Sequence, residues 1–284
     1  MPISIFALVF TCFVDVMGQG LAFPIFAALL MNPNGEFFKE VSSPSQGALL
    51  YGIAIGTFFL TWFFGSLYIS RLSDSIGRRS GILICLFGAI AGYAIATASI
   101  ISHNYMLLVL SRAITGFTAG AQPIAAAAMI DLAENERESA RNLGLATVGM
   151  SFGLVIGPII GGLFSDKDLL GSVASLQLPS VIGGLMCLAG LLLVLFGFKD
   201  TKTETIPLDT NPFLLFKLLA DAFNRLSVRR VAIAYFPYML CVLGLYVFVS
   251  ANLSTRFGYG AIGSSIAMFL MGIGLAASSS TLVE

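Results

Sequence analysis

Two ionisable residues stand inside long apolar runs, where they could handle charge away from bulk water: Asp15, in CFVDVMGQGLAFP, and Arg112, in SRAITGFTAG. A carboxylate held in an apolar helix has its neutral form favoured by desolvation, which suits a group that loads and releases a proton. A guanidinium at membrane depth costs about 2.5–3.5 kcal/mol on insertion scales, so it is expected to face the protein interior beside a partner. If the two lie close, the charged carboxylate is favoured instead, and a bound substrate cation would tip the balance. Gln19 lies one turn beyond Asp15, and Gly116 and Gly120 follow Arg112 at four-residue steps. The plainer readings stay open: an Arg112 satisfied by carbonyls, and an Asp15 that caps or packs a helix loosened by Gly20 and Pro24.

A second charged group sits between apolar runs. SRLSDSIGRRSG puts Asp74, Gly77, Arg78 and Arg79 in one tight turn, with Gly77 suited to a reversed backbone. The arginines are either simple topogenic charges or one side of an ion-pair latch to an acid such as Asp131. Such a latch would hold one conformation and break in another.

The elements that carry these residues are membrane spans. The chain has 284 residues, 57% of them hydrophobic and only 11% charged. A soluble domain carries roughly 25% charged residues, so this chain could not cover its own surface for water. Apolar runs near 3–30, 45–70, 80–101, 105–132, 143–165, 178–198, 231–253 and 262–283 read as eight spanning helices, an all-α membrane protein. The first run lacks a basic leading region and is read as a span rather than a cleaved signal. The chain divides into a six-helix bundle over 1–198, a linker over 199–230 and the first two helices of an incomplete second bundle over 231–284. Within the linker, PFLLFKLLADAFNRLS reads as an amphipathic helix lying on the membrane surface.

Basic residues set the orientation. Loops after the second, fourth and sixth spans hold Arg71, Arg78, Arg79, Arg137, Arg141, Lys199, Lys202, Lys217, Arg225, Arg229 and Arg230, whereas the other loops hold Lys39, Lys167 and Arg256. That bias puts the amino terminus in the cytoplasm. The balance of 15 basic and 15 acidic residues gives no reason to expect a nucleic-acid partner. His103 reads as a loop residue, and Cys12, Cys85, Cys187 and Cys241 are scattered without metal or disulfide spacing. There is no nucleophile elbow and no phosphate-cradling loop, so no enzyme and no cofactor is expected.

The fifth span carries GMSFGLVIGPIIGG, in which Gly149, Gly153, Gly157 and Gly161 recur every fourth residue and form one ridge without side chains. Such a ridge lets a neighbouring helix approach closely where lipid removes the hydrophobic drive between helices. Pro158 deletes a backbone donor and clashes with the Leu154 carbonyl, so a bend is expected there.

These residues together resemble the major facilitator superfamily, in particular its twelve-helix drug:proton antiporter branch, which includes tetracycline and multidrug exporters. Gly153-x-x-x-Gly157-Pro158-x-x-Gly161-Gly162 resembles that branch's antiporter motif in full. Leu72-x-Asp74-x-x-Gly77-Arg78-Arg79 resembles its loop motif, with Ser70 in place of the opening glycine and Ser75 in place of a basic residue. Arg112-x-x-x-Gly116-x-x-x-Gly120 resembles the helix-four motif linked to proton transfer, and Asp15-x-x-Gly18 with Pro24 the acidic helix-one motif. Asp131 with Arg137-x-x-x-Arg141 fits the stretch between helices four and five. The resemblance implies alternating access between two six-helix bundles, the second of which stops here after two helices. The helices that would complete it are required for transport, and the partner of the glycine ridge is expected among them.

Three functions follow as expectations. The first is a proton-coupled antiporter exporting a small lipophilic molecule. The second is a proton-driven importer of a solute, and the third a non-transporting receptor or scaffold. Gln19, Gln122, Tyr235 and Tyr238 are candidates to line the substrate cavity, while Asp15 and Arg112 are candidates for proton coupling.

Overall fold

The structure is a computed structural model describing residues 2–31, 43–165, 170–200, 220, 223–259 and 261–281. It contains nine α-helices among those residues: α1 Ile3–Leu30, α2 Pro44–Ile76, α3 Arg78–Ser102, α4 Tyr105–Phe117, α5 Ala121–Asp131, α6 Glu136–Leu163, α7 Leu178–Gly197, α8 Leu226–Phe257 and α9 Ala261–Thr281. Their ends follow local chemistry. Pro44 opens α2 behind an N-cap Ser43 whose hydroxyl accepts from the Gln46 amide. Asn104 caps α4 by accepting from Leu107 N–H at 3.2 Å. Asn135 caps α6 in the same way, with Glu136 and Glu138 in the first turn favouring its dipole. His103, the expected loop residue, ends α3 in the left-handed conformation.

Among the described residues, seven helical segments are long and apolar enough to cross a membrane. The eighth expected span corresponds to α9, where a shorter apolar helix runs over Ile262–Gly274. Most of the expected amphipathic helix lies outside the described residues.

One expected helix is two. The run over 105–132 forms a single span, yet its helix stops at Phe117 and restarts at Ala121. Two residues account for the break. Gly120 costs a helix interior about 1 kcal/mol, and Pro123 has no N–H to return to the Ala119 carbonyl. This interruption decides the geometry of the site described below.

The glycine ridge also has a different partner from the one expected. It packs on α1, within the same six-span bundle. A Cβ built on Gly149 would come 2.7 Å from the Val9 carbonyl oxygen, and one on Gly161 2.7 Å from that of Leu21. Between them, Gly153 meets Phe13 and Met17 backbone, and Gly157 meets Met17 and Leu21 backbone. The partners on α1 advance by four residues as the glycines do, so the two helices run parallel with their backbones in contact. Gly20 of α1 returns the accommodation, lying where any Cβ would approach Pro158 Cδ to 2.7 Å.

The remaining spans complete the bundle around α1. It touches α7 as well, while α3 packs on α4 and α7, α2 packs on α4, and α9 lies against α6. Two apolar clusters fill the interior. One runs from Val14 to Leu30 of α1 and includes Tyr51, Tyr93 and Leu108; the other joins Ala7 and Leu8 to Ile82, Cys85, Leu86 and α5. Large apolar side chains such as Phe87, Met106 and Phe196 point outward, as expected of lipid-facing surface.

Helix α8 divides along its length. Its first residues, including Tyr235 and Tyr238, are exposed, whereas Tyr246, Val247, Ser250 and Ala251 are buried against the bundle and α9. Two tyrosine hydroxyls tie that buried part to the six-span bundle. Tyr51 of α2 donates to the Val247 carbonyl at 2.8 Å, and Tyr246 donates to the Leu154 carbonyl at 3.2 Å. Leu154 is the carbonyl that Pro158 leaves without its helical donor. The ring of Tyr246 also meets Phe23 edge-on at 5.8 Å.

Candidate functional site

Helix α1 presents two faces. Val9, Phe13, Met17 and Leu21 meet the glycine ridge, while Asp15, Gln19, Ala22 and Phe26 lie on another face at helical spacing. That second face borders a cavity where the two apolar clusters meet. Asp15, Gly18 and Gln19 line it from α1, Phe58 from α2, Tyr93 from α3, Arg112 and Thr115 from α4, and Cys187 from α7. Its volume is about 30 Å³. That holds a small number of waters and no drug-sized molecule. A smaller space adjoins it, lined by Gln19, Phe23, Ile55, Phe58 and Arg112.

The break between α4 and α5 supplies one wall. Restarting the helix at Ala121 frees first-turn amides, and that of Gln122 donates to Asp15 Oδ2 at 3.2 Å. The carboxylate therefore faces the amino-terminal end of a half-helix, where the peptide dipoles favour negative charge. Gln122 is one of the residues expected to line the cavity, and its described contact to the site is through the backbone.

Arg112 is deeply buried, at 4% exposure. Its guanidinium carbon stands 4.9 Å from the centre of the Phe26 ring and 5.9 Å from that of Phe58. Such rings attract a cation but give it no acceptor. Its Nε has no hydrogen-bond partner among the described residues, and no ion pair joins it to Asp15. Asp15 and Arg112 thus share a cavity without neutralising each other. Tyr235 and Tyr238 are not at this cavity: their rings pair at 5.8 Å on the exposed part of α8. They lie on the exposed first half of α8, away from the residues that line the cavity.

The charged turn is a separate assembly. Gly77 holds φ +97°, which an L side chain rarely adopts, and links α2 to α3. Arg78 pairs with Asp74 at 2.7 Å and with Asp131 at 3.2 Å, and it also donates to the Ser73 hydroxyl. Arg79 takes no part in an ion pair among the described residues and donates instead to the Leu195 carbonyl of α7. Sequence reasoning missed Asp200. Its carboxylate accepts from the Arg78 amide at 3.0 Å and lies where any Cβ on Gly77 would stand. No local signal marks it, because Asp200 is 122 residues from Arg78 in the chain.

The family model described as the Major Facilitator Superfamily matches residues 5–283. The chain belongs to that superfamily. It is an integral, multi-pass membrane protein of a family of transporters, not of enzymes. Among its curated relatives, the class D tetracycline resistance protein of Salmonella ordonez is 31% identical over 209 residues, covering 72% of this chain and 48% of that protein. Major facilitator superfamily domain-containing protein 10 of Bos taurus is 28% identical over 268 residues, covering 84% and 55%. The chain thus spans about half the length of these relatives. The crystal structure of the human organic anion transporter MFSD10 matches with a TM-score of 0.70 over 95% of this chain and 69% of that one. At 21% identity, that likeness speaks for the fold alone.

Proposed function

We propose that the protein is a proton-coupled antiporter that exports a small lipophilic molecule by alternating access. The observation that carries this reading is Asp15: a carboxylate on a cavity inside the spans, held by a broken helix's amide and left unpaired by the arginine opposite. A proton arriving on Asp15 cancels the charge that the α5 terminus attracts. A substrate that needs that charge is then released. The relationship to tetracycline resistance proteins supports export, and the excess of basic residues in alternate loops supports a cytoplasmic amino terminus.

Alternating access needs contacts that close one end and part at another time. The tyrosine bonds that join α8 to the bundle, Tyr51 to Val247 and Tyr246 to Leu154, suit the closed end, since each is one neutral hydrogen bond contributing about 1 kcal/mol. Arg78 with Asp74 and Asp131 suits the latch, at the opposite end of α2 from Tyr51.

The test is transport by the full-length protein in proteoliposomes. Export driven by an imposed pH gradient and lost in Asp15→Asn is the expected result. Export that ignores the gradient, or that survives Asp15→Asn unchanged, sinks the coupling. Accumulation in place of clearance reverses the direction.

A further inference from the structure

Basic side chains gather at one end of the molecule in two different ways. In the turn between α5 and α6, Arg137 and Arg141 stand among Glu134, Glu136 and Glu138, and Arg141 pairs with Glu138 at 2.7 Å. At the start of α8, Arg225, Arg229 and Arg230 are all exposed and join no ion pair among the described residues. After Asp221 the sequence has no acid until Glu284, so α8 carries positive charge alone. A bias of basic residues toward one side of the membrane accounts for both arrangements. It does not account for arginines kept clear of acids along two helices.

Helix α8 is longer than the hydrocarbon it crosses. Its 32 residues give a length of about 48 Å, against about 30 Å for a bilayer core. The apolar run over 231–253 fills that core, which leaves the turn over 226–230 at the level of the lipid headgroups. Tyr51, near the start of α2, bonds to Val247 in the second half of α8. The two helices therefore run antiparallel, and α8 begins toward the end that carries Gly77. Phe223, Leu226, Val228 and Val231 are exposed beside the arginines, so cations and apolar side chains share one surface. Tyr235 lies about 9 Å deeper than Arg229 along the axis, paired ring to ring with Tyr238, at a depth where tyrosine meets the interface.

We propose that the start of α8 is a docking site for an anionic phospholipid. Its phosphate is held by the guanidinium forks of Arg229 and Arg230, and its acyl chains lie along Tyr235 and Phe236. An acidic soluble protein would match the arginines but leave the apolar side chains and the tyrosines below them unmatched. A phospholipid matches both, with its phosphate accepting from the guanidinium and its chains covering the rest. Two tyrosine bonds tie the second half of α8 to the bundle, whereas no such bond holds its first half among the described residues. The lipid supplies that hold. The site needs α8 to span a membrane and is independent of proton coupling at Asp15.

The test places a bimane fluorophore at Ala234→Cys in the full-length protein, with Cys241→Ser and any other exposed cysteines replaced. Its quenching is read in phosphatidylcholine vesicles containing nitroxide-labelled phosphatidylglycerol or nitroxide-labelled phosphatidylcholine. Phosphatidylglycerol is expected to quench at about a fifth of the mole fraction that phosphatidylcholine needs, the attraction of one arginine to an anionic surface. Arg229→Gln with Arg230→Gln should bring the two lipids level, while Arg225 and the linker lysines keep the orientation. Arg137→Gln with Arg141→Gln should leave the preference intact. Equal quenching by both lipids without these substitutions overturns the proposal. So does a preference that survives the first pair or disappears with the second, because it then belongs to the overall charge. If the first pair does not insert, raising the chloride concentration replaces it: screening should remove the preference, and survival at high salt overturns the site. Loss of the preference to inorganic phosphate, but not to chloride of equal ionic strength, assigns the arginines to a soluble anion and overturns the lipid.

Discussion

Helix α1 meets two neighbours on opposite terms. Against α6 it lies backbone to backbone, because four glycines remove every side chain that would hold the helices apart. Towards α4 and α5 it is separated by a cavity: the interruption at Thr118–Gly120 lies beside the space lined by Asp15, Gln19 and Arg112, and the Arg112 guanidinium reaches the Phe26 ring of α1. One interface has no room for water and no polar side chain to solvate. The other has both. The difference teaches that a single helix can anchor the bundle on one face and expose a charge on the other, provided its two partners differ in side-chain volume.

The glycine face should break most completely. Gly157→Leu puts a branched side chain into Met17 and Leu21 backbone, where nothing can yield. Overpacking of this kind costs about 1–3 kcal/mol or more, and no monodisperse protein is expected on size-exclusion chromatography. Gly144→Leu is the control, since a Cβ there has nothing within 4 Å, and its elution and melting should match the wild type. Equal damage from both would mean that the ridge is not a contact.

The polar face should lose function while keeping its fold. Arg112→Gln removes a buried cation that has no ion-pair partner to strand, so melting should hold or rise while pH-driven flux falls by an order of magnitude or more. A fall in both together would make Arg112 structural.

Smaller effects are expected where the bundle meets α8. Tyr246→Phe keeps the ring against Phe23 and removes only the bond to Leu154, about 1 kcal/mol or roughly five-fold in the balance between closed and open states. Cross-linking of cysteines placed at that end should register the shift, and no change would make the bond incidental. The smallest effect belongs to Asp131→Asn. Its carboxylate is partly exposed and Arg78 keeps Asp74, so less than about 1 kcal/mol of stability should be lost in a thermal melt.

The spans, the two intramembrane charges and the glycine repeat are all legible in the sequence, because each is a statement about composition or periodicity along one helix. Membrane depth demands long apolar runs, and an ionisable residue within one stands out at once. Even the broken span left a signature in Gly120 and Pro123, although the run over 105–132 reads as continuous by hydropathy. What the sequence could not decide was pairing between segments. It marked Gly149 to Gly161 as a surface for close approach but not α1 as the helix that approaches. It marked Asp15 and Arg112 but not that they share a cavity without touching, or that the Gln122 amide holds the carboxylate. Asp200 left no trace at all. Periodicity is set by one helix's own geometry, and so it is written along the chain. Which faces meet depends on volumes and backbone donors contributed by residues over a hundred positions apart, and only the folded bundle sums them.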